Sequence, residues 1–410
     1  MKAAIVGIAG PDLAATEAAL FRAHPPAGVI LFRRNIVDPP QLAALVAALR
    51  RALPPDAVLM VDQEGGRVAR LRPPHWRAHP PAAALGALFA LAPASGLRAA
   101  WLTGALIGLD CAAAGFDVVA APVLDLGLPR AHAVIGDRAL AEDPTAVARL
   151  GRAVAAGLLA AGIQPVGKHA PGHGRARLDS HLALPEVVAN DLDADLLPFV
   201  LNADLPWIMT AHILYPAWDP TLPATLSPAI IKRVIRGRIG FEGVLVTDDL
   251  AMRALSGYAP ARYTPAGHAP PGYAAPGYAP PGYAPPGYAP AASPADLARQ
   301  ALAAGCDLAL YCSGEALPTA ELLASCPPVT PNTAARLGRA RAVASQRRVS
   351  LDAAALADER ARLLTDHGAL PGVSLPGEPP PGEPPPGDPT AGDPLRSDRT
   401  AGGPPPRKPA

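Results

Sequence analysis

Gln164–Glu186 reads QPVGKHAPGHGRARLDSHLALPE. An apolar, helix-like run (Ala146–Ile163) comes before it, so Gln164–Val166 is expected to be a short buried strand that opens into a long polar loop. Gly167, Gly172, Gly174 and the prolines keep that loop out of helix and sheet. It carries Lys168, His169, His173, Asp179 and His181. An Asp two positions before a His, beside a cationic Lys–His pair, has the makings of proton-transfer equipment. Read alone, a solvated loop with scattered histidines fits the same letters.

The unit of helix, apolar strand and polar strand end recurs outward in both directions. Strands are expected at Ala3–Ala9, Gly28–Phe32, Ala57–Val61, Asp117–Val123, Trp207–Ala211, Gly243–Val246 and Asp307–Tyr311. Helical patterns fall between them, among them Leu13–Ala23, Pro40–Leu53, Leu97–Ala114, Asp143–Ala161 and a helix over Pro228–Arg236 capped by Ser227. The strands are too uniformly apolar for either face to meet water, which suits a parallel sheet covered by helices. About eight such alternations favour a closed (β/α)8 barrel of the TIM type, as a single domain, over an open doubly wound sheet. Polar residues cluster just after strands: Asp62, Asp125, Lys168, His169, His212 and Asp248. In a barrel those ends meet at one face, where active sites lie. No GxGxxG follows an early strand, so no dinucleotide cofactor is expected.

Composition narrows the function classes. Half of the 410 residues are hydrophobic and 17% charged, enough for a sizeable aliphatic core with only 4% aromatics. A formal net charge of +1 gives no basic surface for nucleic acid or acidic membrane. Cys111, Cys306, Cys312 and Cys326 form no CxxC and read as reduced core thiols, with no metal site. The short run Ala3–Ala9 reads as a first strand, and no segment approaches 18 uninterrupted apolar residues. A cytoplasmic protein is expected.

Two tracts break the pattern and hold most of the excess among 53 prolines. Gly257–Ala291 consists of seven five-residue units, with tyrosine in one phase and His268 in its place in the third. A second tract, Pro376–Pro394, lies within a polar tail that runs to Ala410. Neither can build a core, so both are expected to be disordered or partly polyproline II. The barrel is therefore expected over residues 1–370, interrupted by the insertion 257–291, with a disordered Pro-rich tail over 371–410. An aromatic platform for polysaccharide is one use for the tyrosines; low-complexity sequence without a fixed role is the simpler reading. Deleting Gly257–Ala291 should then leave turnover of a small substrate within about twofold of the full chain, since no core or site residue is lost. Steady-state kinetics of the deletion variant check this, and a large loss of activity refutes it.

Five motifs make a resemblance specific. VDQEGGRVARL (Val61–Leu71), APVLDL (Ala121–Leu126), VIGDRALAEDP (Val134–Pro144), GKHAPGHGRARLDSHLALP (Gly167–Pro185) and GVLVTDDLAM (Gly243–Met252) occur in that order. Together they resemble the single-domain bacterial β-N-acetylglucosaminidases of glycoside hydrolase family 3, from about Ala3 to about Leu364. The resemblance implies a TIM-like barrel and no cofactor. It places the nucleophile of a retaining mechanism at Asp248, with Asp249 as a structural neighbour. It also implies an unusual acid/base, His181 oriented by Asp179, in place of a second carboxylate. Asp62, Arg138, Lys168 and His169 match the residues that grip the non-reducing N-acetylglucosamine. The implied substrate is a small saccharide containing N-acetylglucosamine, a peptidoglycan muropeptide met in cell-wall recycling; oligomeric state is left open.

Two departures bear on fine specificity: Ala170 stands where the family usually has an aromatic, and VIGDRAL lacks the customary Ser-Phe. Ala170 is expected to loosen the loop or widen the pocket. The alternatives are a phosphorylase of the same fold, a non-catalytic sugar-binding protein, and a metal-dependent hydrolase using His169, His173, Asp179 and His181.

Overall fold

The computed structural model describes residues 1–129, 132–180, 182–189, 191–256 and 292–366. Both low-complexity tracts, and with them the expected disorder, lie outside the described residues, as do Arg130 and His181.

Ten strands form: β1 (Lys2–Gly7), β2 (Pro26–Leu31), β3 (Val58–Val61), β4 (Gln63–Gly65), β5 (Val68–Ala69), β6 (Val118–Val119), β7 (Gln164–Ala170), β8 (Trp207–Thr210), β9 (Val244–Asp249) and β10 (Leu308–Tyr311). Eight of them close a parallel barrel in the order β1-β10-β9-β8-β7-β6-β3-β2, and β4 and β5 make a separate antiparallel hairpin. The expected (β/α)8 barrel is therefore correct. Strand period explains how each apolar run is used. In β1, Ala3 and Ile5 join one buried cluster with Met60, Val166, Trp207, Met209 and Leu308 from the other strands. Ala4 and Val6 join the other cluster, packed with the helices outside. Both faces of the barrel strands are thus dry along their apolar runs, as such runs require.

Helix Pro331–Arg347 packs Leu337 and Ala340 against the inner cluster. Buried Asp307 holds it there, accepting from Thr333 Oγ1 at 2.8 Å, Arg336 Nη1 at 2.9 Å and Arg236 Nη2 at 2.8 Å. Among the described residues no helix is long and apolar enough to cross a membrane. All four cysteines are buried free thiols.

Four expectations about elements change. The strand expected at Gln164–Val166 runs on to Ala170, so Lys168 and His169 stand on the strand and not in a loop. Pairing continues because Lys168 N donates to Pro122 O at 3.1 Å and Leu124 N donates to Lys168 O at 2.7 Å. Polarity there marks a strand end facing the barrel mouth. For the same reason β9 extends past Val246 to include Asp248 and Asp249. The strand expected over Asp117–Val123 shrinks to Val118–Val119, and Asp117 instead spends its carboxylate on Leu59 N at 2.7 Å.

The helix expected over Pro228–Arg236 is largely a π-helix, Ile230–Arg238, although Ser227 Oγ does accept from Ile230 N at 3.0 Å. Its buried residues Ile230, Ile231, Val234 and Ile235 sit at a spacing that a wider turn serves as well as an α-turn. Ala170, finally, is fully buried at the end of β7, and its carbonyl accepts from Ala211 N at 2.7 Å. It therefore belongs to the sheet.

Candidate active site

The mouth of the barrel is built on an ion cluster centred on Glu64. Asp62 follows β3, and Glu64 lies two residues on, in the extended hairpin strand β4, so both side chains point the same way. Gln63 faces the other side and clamps the turn: its Oε1 accepts from Arg70 N at 2.7 Å and Leu71 N at 3.0 Å, and its Nε2 donates to Leu71 O at 2.9 Å. Gly65, at φ +99°, is the residue type that this tight turn needs.

Glu64 takes Arg138 bidentately, Nε to Oε2 and Nη2 to Oε1, both at 2.8 Å, and takes Lys168 Nζ at 2.6 Å. Lys168 Nζ also donates to Asp62 Oδ1 at 3.1 Å, and Arg70 Nη2 donates to Asp62 Oδ2 at 3.3 Å. The structure thus brings Asp62, Arg138 and Lys168 together, as the sequence implied. It adds Glu64 and Arg70, which the sequence reading left without a role. The missed signal was the i, i+2 spacing of Asp62 and Glu64 in an extended segment. Burial works against each carboxylate, yet the neighbouring cations win. Lys168 and Arg70 hold Asp62 below the usual carboxylate range, and Arg138 and Lys168 hold Glu64 well below it. Burial likewise opposes the charges on Arg138 and Lys168, but Glu64 keeps both raised. Three cations face two carboxylates, a preorganised cradle rich in N–H donors for hydroxyl and carbonyl oxygens.

Asp125 organises the next part of the wall. Fully buried, it accepts from His169 N at 3.2 Å and His173 N at 2.7 Å, and its Oδ2 lies 2.6 Å from His169 Nδ1. Burial raises its pKa, but the His169 ring and these N–H groups together bring it below normal. His169 Nδ1 is therefore fixed by the Asp125 carboxylate. His173 Nε2 lies 3.1 Å from Ser180 Oγ, so His173 ties the loop to itself. At residue 180 the loop is also fastened across the mouth, because Ala254 N donates to Ser180 O at 3.1 Å. Asp179 lies at this fastened end, and its carbonyl accepts from Leu182 N at 2.9 Å and Ala183 N at 3.0 Å.

Burial pushes His173 down to about 4. The unfolded chain then takes up a proton between pH 6.5 and 4 that the folded chain refuses, so stability falls on acidification. His173 alone should remove about 3 kcal/mol by pH 4. Denaturant midpoints across pH 7 to 4 check this, and a His173→Gln variant should show a flatter profile; an equal slope in both would refute it.

Asp248 and Asp249 end β9. Asp249 N donates to Asp248 Oδ1 at 2.8 Å, and Asp249 Oδ1 accepts from Ala251 N and Cys312 N, both at 2.9 Å. Burial, with the Asp248 charge beside it, raises Asp249 to about 6. The charges of Asp249, Asp62 and Asp248 all act on the Cys312 thiol, and that of Asp248 acts on His173. Because β3, β7 and β9 run parallel in one closed barrel, Asp62, Lys168 and the β9 pair stand at the same end of it, with the His173 loop following β7. Among the described residues no three His, Cys, Asp or Glu side chains converge as a metal set.

The strand-end carboxylate and the buried ion cluster both lie in a segment that matches a known family. Residues 5–266 match the family model for the glycosyl hydrolase family 3 N terminal domain. The chain belongs to glycoside hydrolase family 3. Within this family it is similar to a beta-hexosaminidase of Alkalilimnicola ehrlichii, 40% identical over 262 residues, which is 62% of this chain and 74% of that protein. It is also similar to a beta-hexosaminidase of Chromobacterium violaceum, 36% identical over 88% of this chain and 93% of that protein. Among solved structures, NagZ from Neisseria gonorrhoeae in complex with N-trifluoroacetyl-D-glucosamine superposes with a TM-score of 0.71 at 30% identity, over 88% of this chain and 98% of that one. The segment matched to the family 3 model contains all seven site residues named from the sequence.

Proposed function

We propose that this glycoside hydrolase is a β-N-acetylhexosaminidase that removes terminal, non-reducing β-N-acetylglucosamine with retention. The observation that carries the reading is Asp248 at the end of β9, sharing one mouth with the Asp62–Glu64–Lys168–Arg138 cradle. Its relatives named beta-hexosaminidase support the sugar.

In this mechanism Asp62, Arg138, Lys168 and His169 hold the sugar hydroxyls and acetamido group. A carboxylate oxygen of Asp248 bonds to the anomeric carbon as the glycosidic C–O bond breaks. His181, as imidazolium, gives its proton to the leaving oxygen. Water then adds to the anomeric carbon of the glycosyl–Asp248 ester while His181 takes the water proton, which restores both residues. Asp179 would hold the His181 tautomer and balance the imidazolium charge. A muropeptide bearing N-acetylglucosamine is the substrate that a cytoplasmic enzyme of this kind would meet in cell-wall recycling.

Release of phenol from an aryl β-N-acetylglucosaminide tests the reading, with arms containing inorganic phosphate and a chelator. Hydrolysis unaffected by either is expected. Dependence on phosphate would make the enzyme a phosphorylase, loss of activity in chelator would point to metal chemistry, and no turnover would leave a sugar-binding protein.

A further inference from the structure

His212 follows β8 and is fully buried, remote from any role assigned so far. Its ring spans two elements: Nδ1 lies 2.7 Å from Thr225 Oγ1, and Nε2 lies 3.0 Å from the carbonyl oxygen of Asp249. A carbonyl oxygen only accepts, so Nε2 carries a proton and the tautomer is decided at that end. At the other end Thr225 is itself fixed, with Oγ1 2.8 Å from Thr210 Oγ1 and 3.0 Å from Ala211 O. The ring is therefore a strut between a buried hydroxyl pair under β8 and the backbone at the tip of β9.

The backbone of that tip is also tied on its own side, since Met252 N donates to Asp249 O at 3.1 Å and Leu250 N donates to Leu310 O at 2.9 Å, and His212 adds the side-chain link across to β8. Asp249 is gripped through its carbonyl by His212 and Met252 N, through its carboxylate by Ala251 N and Cys312 N, and through its N–H by Asp248 Oδ1. The last bond fixes the rotamer of Asp248, because one of its carboxylate oxygens is tied to the next peptide. Any rotation of the backbone at residue 249 carries that N–H, and hence Asp248, with it. We infer that His212 is a positioning residue for the nucleophile: by holding Asp249 O, it sets the angle at which Asp248 meets the anomeric carbon. The inference rests on Asp248 being the nucleophile. Misplacement on the order of 1 Å is enough to cost about 10²-fold in rate.

The two ring nitrogens can be removed separately. In His212→Gln the terminal amide can occupy the Nε2 position and still donate to Asp249 O; in His212→Asn it reaches only the Nδ1 position, toward Thr225. The expected result is kcat about 10²-fold lower in His212→Asn, with KM within about threefold, and kcat within about tenfold of the parent in His212→Gln. Labelling of Asp248 by a 2-fluoro sugar, read by mass spectrometry, should slow in parallel in the Asn variant. A core histidine with a purely structural role would give two variants equally impaired in activity and equally lowered in melting temperature, and that outcome overturns the inference. So does an Asn variant with unchanged kcat. If neither variant folds, Thr225→Val, which frees the far end of the strut, should lower kcat with KM unchanged, and parental kcat there overturns it. Absence of label on Asp248 in the parent enzyme would instead refute the nucleophile assignment itself.

Discussion

Asp248→Ala removes turnover of an aryl β-N-acetylglucosaminide, by roughly 10⁴-fold or more, with KM little changed and the fold intact. The size follows from the absence of a substitute next door. Asp249 is the nearest carboxylate in sequence, but Cys312 N and Ala251 N occupy its Oδ1, and burial beside Asp248 raises it to about 6. Its carboxylate is thus committed to two backbone N–H donors. The cradle carboxylates Asp62 and Glu64 are tied to Lys168, Arg70 and Arg138, which hold them away from the role of nucleophile.

Truncation should therefore leave sugar binding while ending attack on the anomeric carbon. A small anion such as azide, entering the space left by the carboxylate, should restore some release of phenol and give a glycosyl azide of inverted configuration. With the neighbouring charge gone, Asp249 should also titrate below its present value of about 6. Residual activity above about 1% without azide, or a 2-fluoro sugar label on another residue, would remove Asp248 from the nucleophile's role.

What the sequence disclosed and what it hid have different physical origins. The barrel was legible because both faces of each strand are buried, so runs such as Ala3–Ala9 and Trp207–Ala211 carry their own signal. The positions of Asp62, Lys168, His169 and Asp248 followed, since strand ends converge at one face of such a barrel. Strand lengths were hidden where polar residues take part in pairing. Lys168 and His169 look like loop residues, yet neighbours such as Pro122 O complete their ladder. The roles of Glu64 and Asp125 were hidden for another reason. Their importance lies in partners 74 and 44 residues away, Arg138 and His169, and no local pattern reports a pairing at that distance. His212 is harder still, because its contact is to a backbone carbonyl that any residue type could supply.

Glu64→Gln is expected to lower kcat/KM on the order of 10³-fold, mostly through KM, although Glu64 need not touch the sugar. The substitution keeps the shape of the side chain and removes one charge. The cradle then holds Lys168, Arg138 and Arg70 against Asp62 alone. At about 4 Å and an effective dielectric near 20, one unit charge pair is worth about 4 kcal/mol. The lost attraction and the uncovered repulsion between Lys168 and Arg138 are therefore large beside the binding energy of one sugar. The amide also cannot accept both halves of the Arg138 fork, since one of its two heavy atoms is now a donor.

Lys168 would respond first. Burial already opposes its charge, and Glu64 is the first of the attractions that keep it protonated. Its pKa should fall, or its ammonium should leave the pocket, and either change misplaces the donors that grip the sugar. Breaking a buried pair from one side typically destabilises a fold by about 3–5 kcal/mol, so the melting temperature should drop as well. The double variant Glu64→Gln/Lys168→Met separates the two effects, because it removes the stranded cation along with its partner. Stability should recover in the double variant while sugar binding does not. Calorimetric titration with N-acetylglucosamine and thermal melts of the four proteins in this cycle measure both quantities. Parental affinity for the sugar in Glu64→Gln would show that the cradle is held by other means.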